Sequence, residues 1–107
     1  MLTRDSTRPD EAEVSGALLL SDIRELFQGN SDGVLFTFEI LDALRVREDR
    51  PYSECHRGKE MTAPQMAALL RPFGIPTNQT VRRGPMTAKG YKAKDFADAW
   101  GRYLPPL

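Results

Sequence analysis

The stretch 62–91, TAPQMAALLRPFGIPTNQTVRRGPMTAKGY, decides the fold. Its spacing predicts one helix over 62–73 and a short β-hairpin over 79–91. Thr62 is suited to cap the helix, and Gln65 three residues later completes a capping-box pattern. Pro64 falls in the first turn, where a missing N–H costs little. Met66, Leu69, Leu70 and Phe73 recur at three- and four-residue spacing and make one apolar stripe. Gly74 stands where a left-handed residue ends a helix, Ile75 can fold back on it, and Pro76 forbids continuation. Thr80-Val81-Arg82-Arg83, a turn through Gly84-Pro85-Met86-Thr87, and Ala88-Lys89-Gly90-Tyr91-Lys92 follow as the hairpin.

Working outward, residues 1–13 are polar, contain Pro9, and read as a disordered tail or linker of the kind that joins a domain to a longer chain. The domain is expected over 14–107. A first helix is predicted over 14–28, with Leu19, Ile23, Leu26 and Phe27 as its core stripe and Gly29-Asn30 as its end. Val34-Leu35-Phe36 reads as a single strand, and Thr37 as the cap of a second helix reaching about Val46. The charges from Arg45 to Arg50 read as a solvated helix end, and Pro51 breaks the chain there. A last helix is predicted over 94–103, with Phe96, Trp100, Tyr103 and Leu104 facing the core. The order helix, strand, helix, helix, strand, strand, helix is mainly α with a small β-hairpin. It is the order of a winged helix-turn-helix with an additional C-terminal helix. In that frame 62–73 is the recognition helix and 80–92 the wing.

Composition bounds the function. A chain of 107 residues makes one domain, and 40% hydrophobic with 28% charged residues is ordinary for a soluble protein. No apolar run approaches the roughly 20 residues of a membrane helix, and no secretion signal is read at the start. The one cysteine, Cys55, fits a reducing cytoplasm. Cys55-His56 is not read as a metal centre, since the chain has no second Cys or His to complete a ligand set. Nor does it make a catalytic pair, because neighbouring side chains diverge. No acid/base or nucleophile set stands out, so no catalytic residue, metal or cofactor is expected.

Charge is the informative feature. The formal net charge is zero, yet residues 1–56 sum to −6 and residues 57–107 to +6. Either one face is meant for an anionic partner, or the two halves attract each other across the fold. Around the expected recognition helix and wing, Arg57, Lys59, Arg71, Arg82, Arg83, Lys89, Lys92 and Lys94 form a basic stripe of the kind that contacts phosphates. Arg82 and Arg83 must point opposite ways on a strand, one outward and one toward the core or the other edge. The helix offers few base readers: Gln65 and Arg71 are the groove candidates, beside small residues such as Ala63, Ala67 and Ala68. Backbone contacts with weak sequence preference are expected.

A resemblance points the same way. Leu69-Leu70-Arg71-Pro72-Phe73-Gly74-Ile75, followed by Arg82-Arg83, Lys89-Gly90-Tyr91, Asp95-Phe96, Ala99-Trp100 and Arg102-Tyr103-Leu104-Pro105, resembles a bacterial and phage domain of unknown function. Asp49-Arg50-Pro51-Tyr52 and Gly58-Lys59 fit the same pattern, so the likeness runs from about Leu19 to Pro105. That domain typically closes phage- and prophage-encoded primase–helicase or replicative ATPase-like proteins. The resemblance implies association with mobile-element DNA replication and supplies no catalytic mechanism. The leading expectation is a non-enzymatic DNA-binding module, on duplex or fork. The alternative is a protein-interaction module, or a small inhibitor, docking on a helicase or other replication partner.

Overall fold

Ser15 opens the first helix of the computed structural model, which describes residues 15–53 and 58–105. The Ser15 Oγ accepts from the Leu18 N–H at 2.9 Å, and α1 (Gly16–Gln28) runs from there to Gly29. Asn30 Oδ1 accepts from the N–H groups of Asp32 and Gly33, both at 2.9 Å, and this tight turn delivers the chain into β1 (Val34–Phe36). α2 (Thr37–Arg45) follows without a loop. Its N-cap is Phe36 rather than the expected Thr37. Phe36 has no side-chain acceptor, so the cap works through Glu39, whose Oε1 accepts from the Phe36 N–H at 2.9 Å.

α3 (Ala63–Leu70) has the expected capping box, with Thr62 Oγ1 accepting from the Gln65 N–H and Gln65 Oε1 accepting from the Thr62 N–H. It is shorter than the expected 62–73. Pro72 has no N–H and crowds the carbonyl four residues back, so the last turn tightens into a 3₁₀ turn, Arg71–Phe73. Gly74 then adopts φ +80°, the left-handed ending that the sequence called for.

β2 (Gln79–Arg83) and β3 (Met86–Lys92) form the hairpin, with Arg83 opposite Met86 across the two-residue turn Gly84-Pro85. Gly84 takes φ +61° at the first turn position, a conformation that suits glycine in a tight hairpin. β1 pairs antiparallel with the other side of β3, giving the sheet order β1-β3-β2. α4 (Ala93–Tyr103) leaves β3 directly. Among the described residues the protein is thus an α/β domain of four helices and a three-stranded antiparallel sheet. None of its helices is long and apolar enough to cross a membrane.

The core sits where the helices meet the inner face of the sheet. Leu19 and Ile23 of α1, Ile40 and Leu44 of α2, Met66 and Leu70 of α3, and Phe96 of α4 are fully buried. Each contributes on the order of 1.5–3 kcal/mol by leaving water. Tyr103, expected in the core, is half exposed and packs edge-on against Phe73 at 4.8 Å between ring centres.

Among the described residues, one charged side chain is inside this core. Asp22 is fully buried and accepts from the Tyr52 hydroxyl at 2.6 Å and from Arg50 Nε at 3.0 Å, and Arg47 Nη1 lies 3.2 Å from its other oxygen. Burial, and then the hydrogen bond to Asp22, push the Tyr52 phenol well above its ordinary pKa, so it stays a donor at all working pH values. The stretch from Arg45 to Arg50 is therefore not simply a solvated helix end. Two of its arginines reach inward to a buried carboxylate. The Tyr52 carbonyl also accepts from the Met61 N–H at 2.9 Å, and Arg45 Nη2 donates to the Met61 carbonyl at 2.8 Å. These bonds fix where α3 begins.

Candidate nucleic-acid interface

The hairpin register decides which basic side chains share a face. Thr80 pairs with Lys89 and Arg82 with Thr87, so these four residues lie on one face of the hairpin, and all are exposed. Val81 and Arg83 lie on the other. The expected divergence of Arg82 and Arg83 is what the strand produces. Arg82 stays outside, its Nε donating to the Gly84 carbonyl at 3.0 Å. Arg83 crosses to α2, where Nη1 and Nη2 donate to Glu39 Oε1 and Oε2 at 2.7 and 2.6 Å. Its guanidinium also lies 4.7 Å from the centre of the Phe36 ring. Arg83, counted in the sequence among the phosphate contacts, has its donor fork occupied and holds the hairpin to α2.

The hydrogen bonds from Arg83 hold the Glu39 carboxyl below its ordinary pKa of 4.5, and the carboxylate raises that of Arg83 in turn. A depressed carboxyl pKa stabilises the fold fully above the ordinary value. That contribution is lost as pH falls below about 4.5 toward the lower folded value. Thermal melts of Glu39→Gln should therefore show a flatter loss of Tm on acidification through this window than the parent protein. Equal slopes would show that the pair does not couple to folding.

The remaining candidates scatter less than they converge. Gln65 spends its carbonyl oxygen on the Thr62 cap, which leaves only its amide nitrogen for a base edge. Arg71 is exposed at the end of α3, with Nε within 3.4 Å of Thr77 Oγ1. Lys89 Nζ donates to the Asn78 carbonyl at 3.1 Å. Arg71 and Lys89 line the same cleft of about 280 Å³ between α3 and β3, together with Ala63, Pro64, Ala67 and Tyr91. Lys59 is exposed just before α3. Lys92 is half-buried and falls on the opposite face of β3 from Lys89. Arg57, Cys55 and His56 lie outside the described residues.

The ion pairs answer the question raised by the charge polarity. Among the described residues, the acids of the first half are largely taken up within that half: Asp22 by Arg47 and Arg50, Glu25 by Arg47, Asp42 by Arg45. Two pairs, Arg83–Glu39 and Arg45–Glu60, join the halves. Among the described residues, Lys59, Arg71, Arg82, Lys89, Lys92 and Lys94 reach no carboxylate. The positive surplus of the second half is thus left facing outward rather than consumed by the fold. Asp22 and its partners were missed by the sequence reading. The available signal was position: Asp22 lies three residues after Leu19 and four before Leu26, inside the arc of α1 that faces the core.

No curated protein and no solved structure matches the chain. Residues 1–103 match the model of a family described as protein of unknown function (DUF3631). That match covers nearly the whole sequence, and the chain belongs to the DUF3631 family.

Proposed function

We propose that this domain is a non-enzymatic winged-helix module that binds nucleic acid, with α3 as the recognition helix and β2–β3 as the wing. The element order and the sheet order β1-β3-β2 support the winged-helix reading. One observation carries the binding proposal: among the described residues the cations of α3 and of the exposed wing face, Arg71, Arg82 and Lys89, are exposed and reach no carboxylate, while most of the other described arginines are paired. These three, with Lys59 at the entry to α3, make the phosphate contacts. Arg83 serves the fold. Arg71 and the free amide of Gln65 are the groups nearest to base reading, so sequence preference is weak. The resemblance to domains that close primase–helicase-like proteins supports placing the module as an accessory domain of a phage or prophage DNA replication protein.

The test is fluorescence anisotropy with labelled duplex and single-stranded DNA over a salt series. Each neutralised phosphate adds about −0.9 to the log–log salt slope on duplex. The triple variant R71E/R82E/K89E should bind far more weakly and with a slope shallower by roughly 2.7. Arg83 is left intact so that Glu39 keeps its partner. Salt-insensitive binding would overturn the phosphate-contact reading.

A second reading has its own observation. Ala63, Pro64 and Ala68 leave the exposed side of α3 small and apolar, and Phe38 (52%) and Met86 (51%) are exposed large hydrophobics. Such a surface suits docking on a helicase or another replication protein. If so, the triple variant keeps its partner in a pull-down against replication proteins, and anisotropy shows no DNA binding by the parent.

A further inference from the structure

The cleft between α3 and β3 is built for more than passing phosphate contact. Arg71 and Lys89 line it, and no carboxylate does. The Nη1 and Nη2 groups of Arg71 make no hydrogen bond or ion pair among the described residues. Lys89 spends one ammonium donor on Asn78 and keeps two. Ala63, Pro64 and Ala67, on the same helix as Arg71, make the α3 wall small and apolar. Tyr91 also lines the cleft. Its ring is buried, while its hydroxyl makes no hydrogen bond among the described residues and is not among the buried unsatisfied atoms, so it is open to the cleft. A phenol open to a cationic cleft can donate to, or accept from, a polar group that enters it. Arg71 at the end of α3 and Tyr91 of β3 both line the cleft.

Size narrows the ligand. About 280 Å³ is roughly nine times the 30 Å³ share of one water, more than a lone phosphate needs. It lies just below the roughly 300–1,000 Å³ of ligand sites, and a base stacked within a duplex cannot enter it. We propose that the cleft receives one unstacked nucleotide unit, its phosphate on Arg71 and Lys89 and its nucleoside between the Ala63-Pro64-Ala67 wall and the Tyr91 hydroxyl. This rests on the nucleic-acid reading above and deepens it: the preferred substrate is a single strand or frayed end rather than closed duplex. The same chemistry is offered by a free nucleotide, and the experiment separates the two sources.

The experiment is an amide NMR titration of the full chain with four probes: oligothymidylate, thymidine 5′-monophosphate, thymidine and inorganic phosphate. The proposal expects oligothymidylate and the monophosphate to move the amides of Ala63, Ala67, Lys89 and Tyr91 together. Thymidine or phosphate alone should do so more weakly. Tyr91→Phe, which removes only the hydroxyl, should weaken oligothymidylate binding by about 3- to 10-fold. Ala67→Trp, which fills the cleft, should weaken it more, provided its melt matches the parent's. Oligothymidylate that binds but moves only wing amides around Arg82 to Thr87, or that binds both variants as tightly as the parent, overturns the cleft and leaves nucleic-acid binding standing. If no nucleic acid binds while the monophosphate still shifts the cleft amides, the free-nucleotide source is supported and the nucleic-acid reading falls. No response to any probe overturns both.

Discussion

Asp22→Ala should cost about 3 kcal/mol of stability and lower Tm by roughly 12 °C or more, read by urea and thermal unfolding. Removing one member of a buried ionic cluster costs about 3–5 kcal/mol, because the remaining members stay desolvated without a partner. Here the lower end applies. The side chains of Arg47 and Arg50 are 22% and 26% exposed, so both can turn to water when the carboxylate is gone. The Tyr52 hydroxyl cannot, since Tyr52 is fully buried. It loses the carboxylate that accepts from it at 2.6 Å. Tyr52→Phe should therefore cost less alone, about 1 kcal/mol, and in the double variant the second loss should nearly vanish. Additive losses would mean that the hydroxyl and the carboxylate act independently. A loss for Asp22→Ala of less than about 1 kcal/mol would show that the cluster is peripheral to folding.

The cluster also shows which parts of this protein sequence reasoning reaches. Caps and breakers act within a turn of the chain, so Thr62, Gly74 and a hairpin turn opening at Gly84 follow from neighbouring residues, although Met86 and Thr87, expected in that turn, belong to β3. Helix ends slipped at Pro72, which is compatible with a helical stripe but not with α-helical hydrogen bonding, and at Phe36, where the Glu39 carboxylate rather than the Thr37 hydroxyl makes the cap. The divergence of Arg82 and Arg83 was legible because strand side chains alternate. Which of the two faces outward was not, since the answer depends on Glu39, 44 residues away. Asp22 finds Tyr52 across 30 residues for the same reason. Gln65 failed differently. Its role as a cap and its role as a base reader were both visible, but one carbonyl oxygen serves the cap and the two roles compete. The cleft was invisible because Arg71, Lys89 and Tyr91 meet only when β3 is laid beside α3.

What lays β3 there is the absence of a side chain at Gly90, and Gly90→Ala should cost about 3 kcal/mol, at the upper end of overpacking losses. Gly90 stands opposite Phe36, where β1 turns into α2, and opposite Gln79 on the other edge. A Cβ on Gly90 would sit 2.6 Å from the Leu35 carbonyl oxygen, 2.6 Å from Val81 Cγ2 and 3.0 Å from the Phe36 Cα. Val81 has little room, being itself buried, and two of the three obstacles are backbone. Relief requires β1 to move away from β3, which also strains the Arg83–Glu39 clamp. Gly101→Ala is the control. It lies within α4 with nothing within 4 Å of the added carbon, so it should stabilise by about 0.5–1 kcal/mol. Opposite signs for one chemical change would place the cost in packing at β1–β3 rather than in glycine replacement itself. Because Lys89 and Tyr91 flank Gly90, the folded fraction of Gly90→Ala should also bind oligothymidylate more weakly. Parent-like affinity in that fraction would mean that the β1–β3 spacing does not set the cleft.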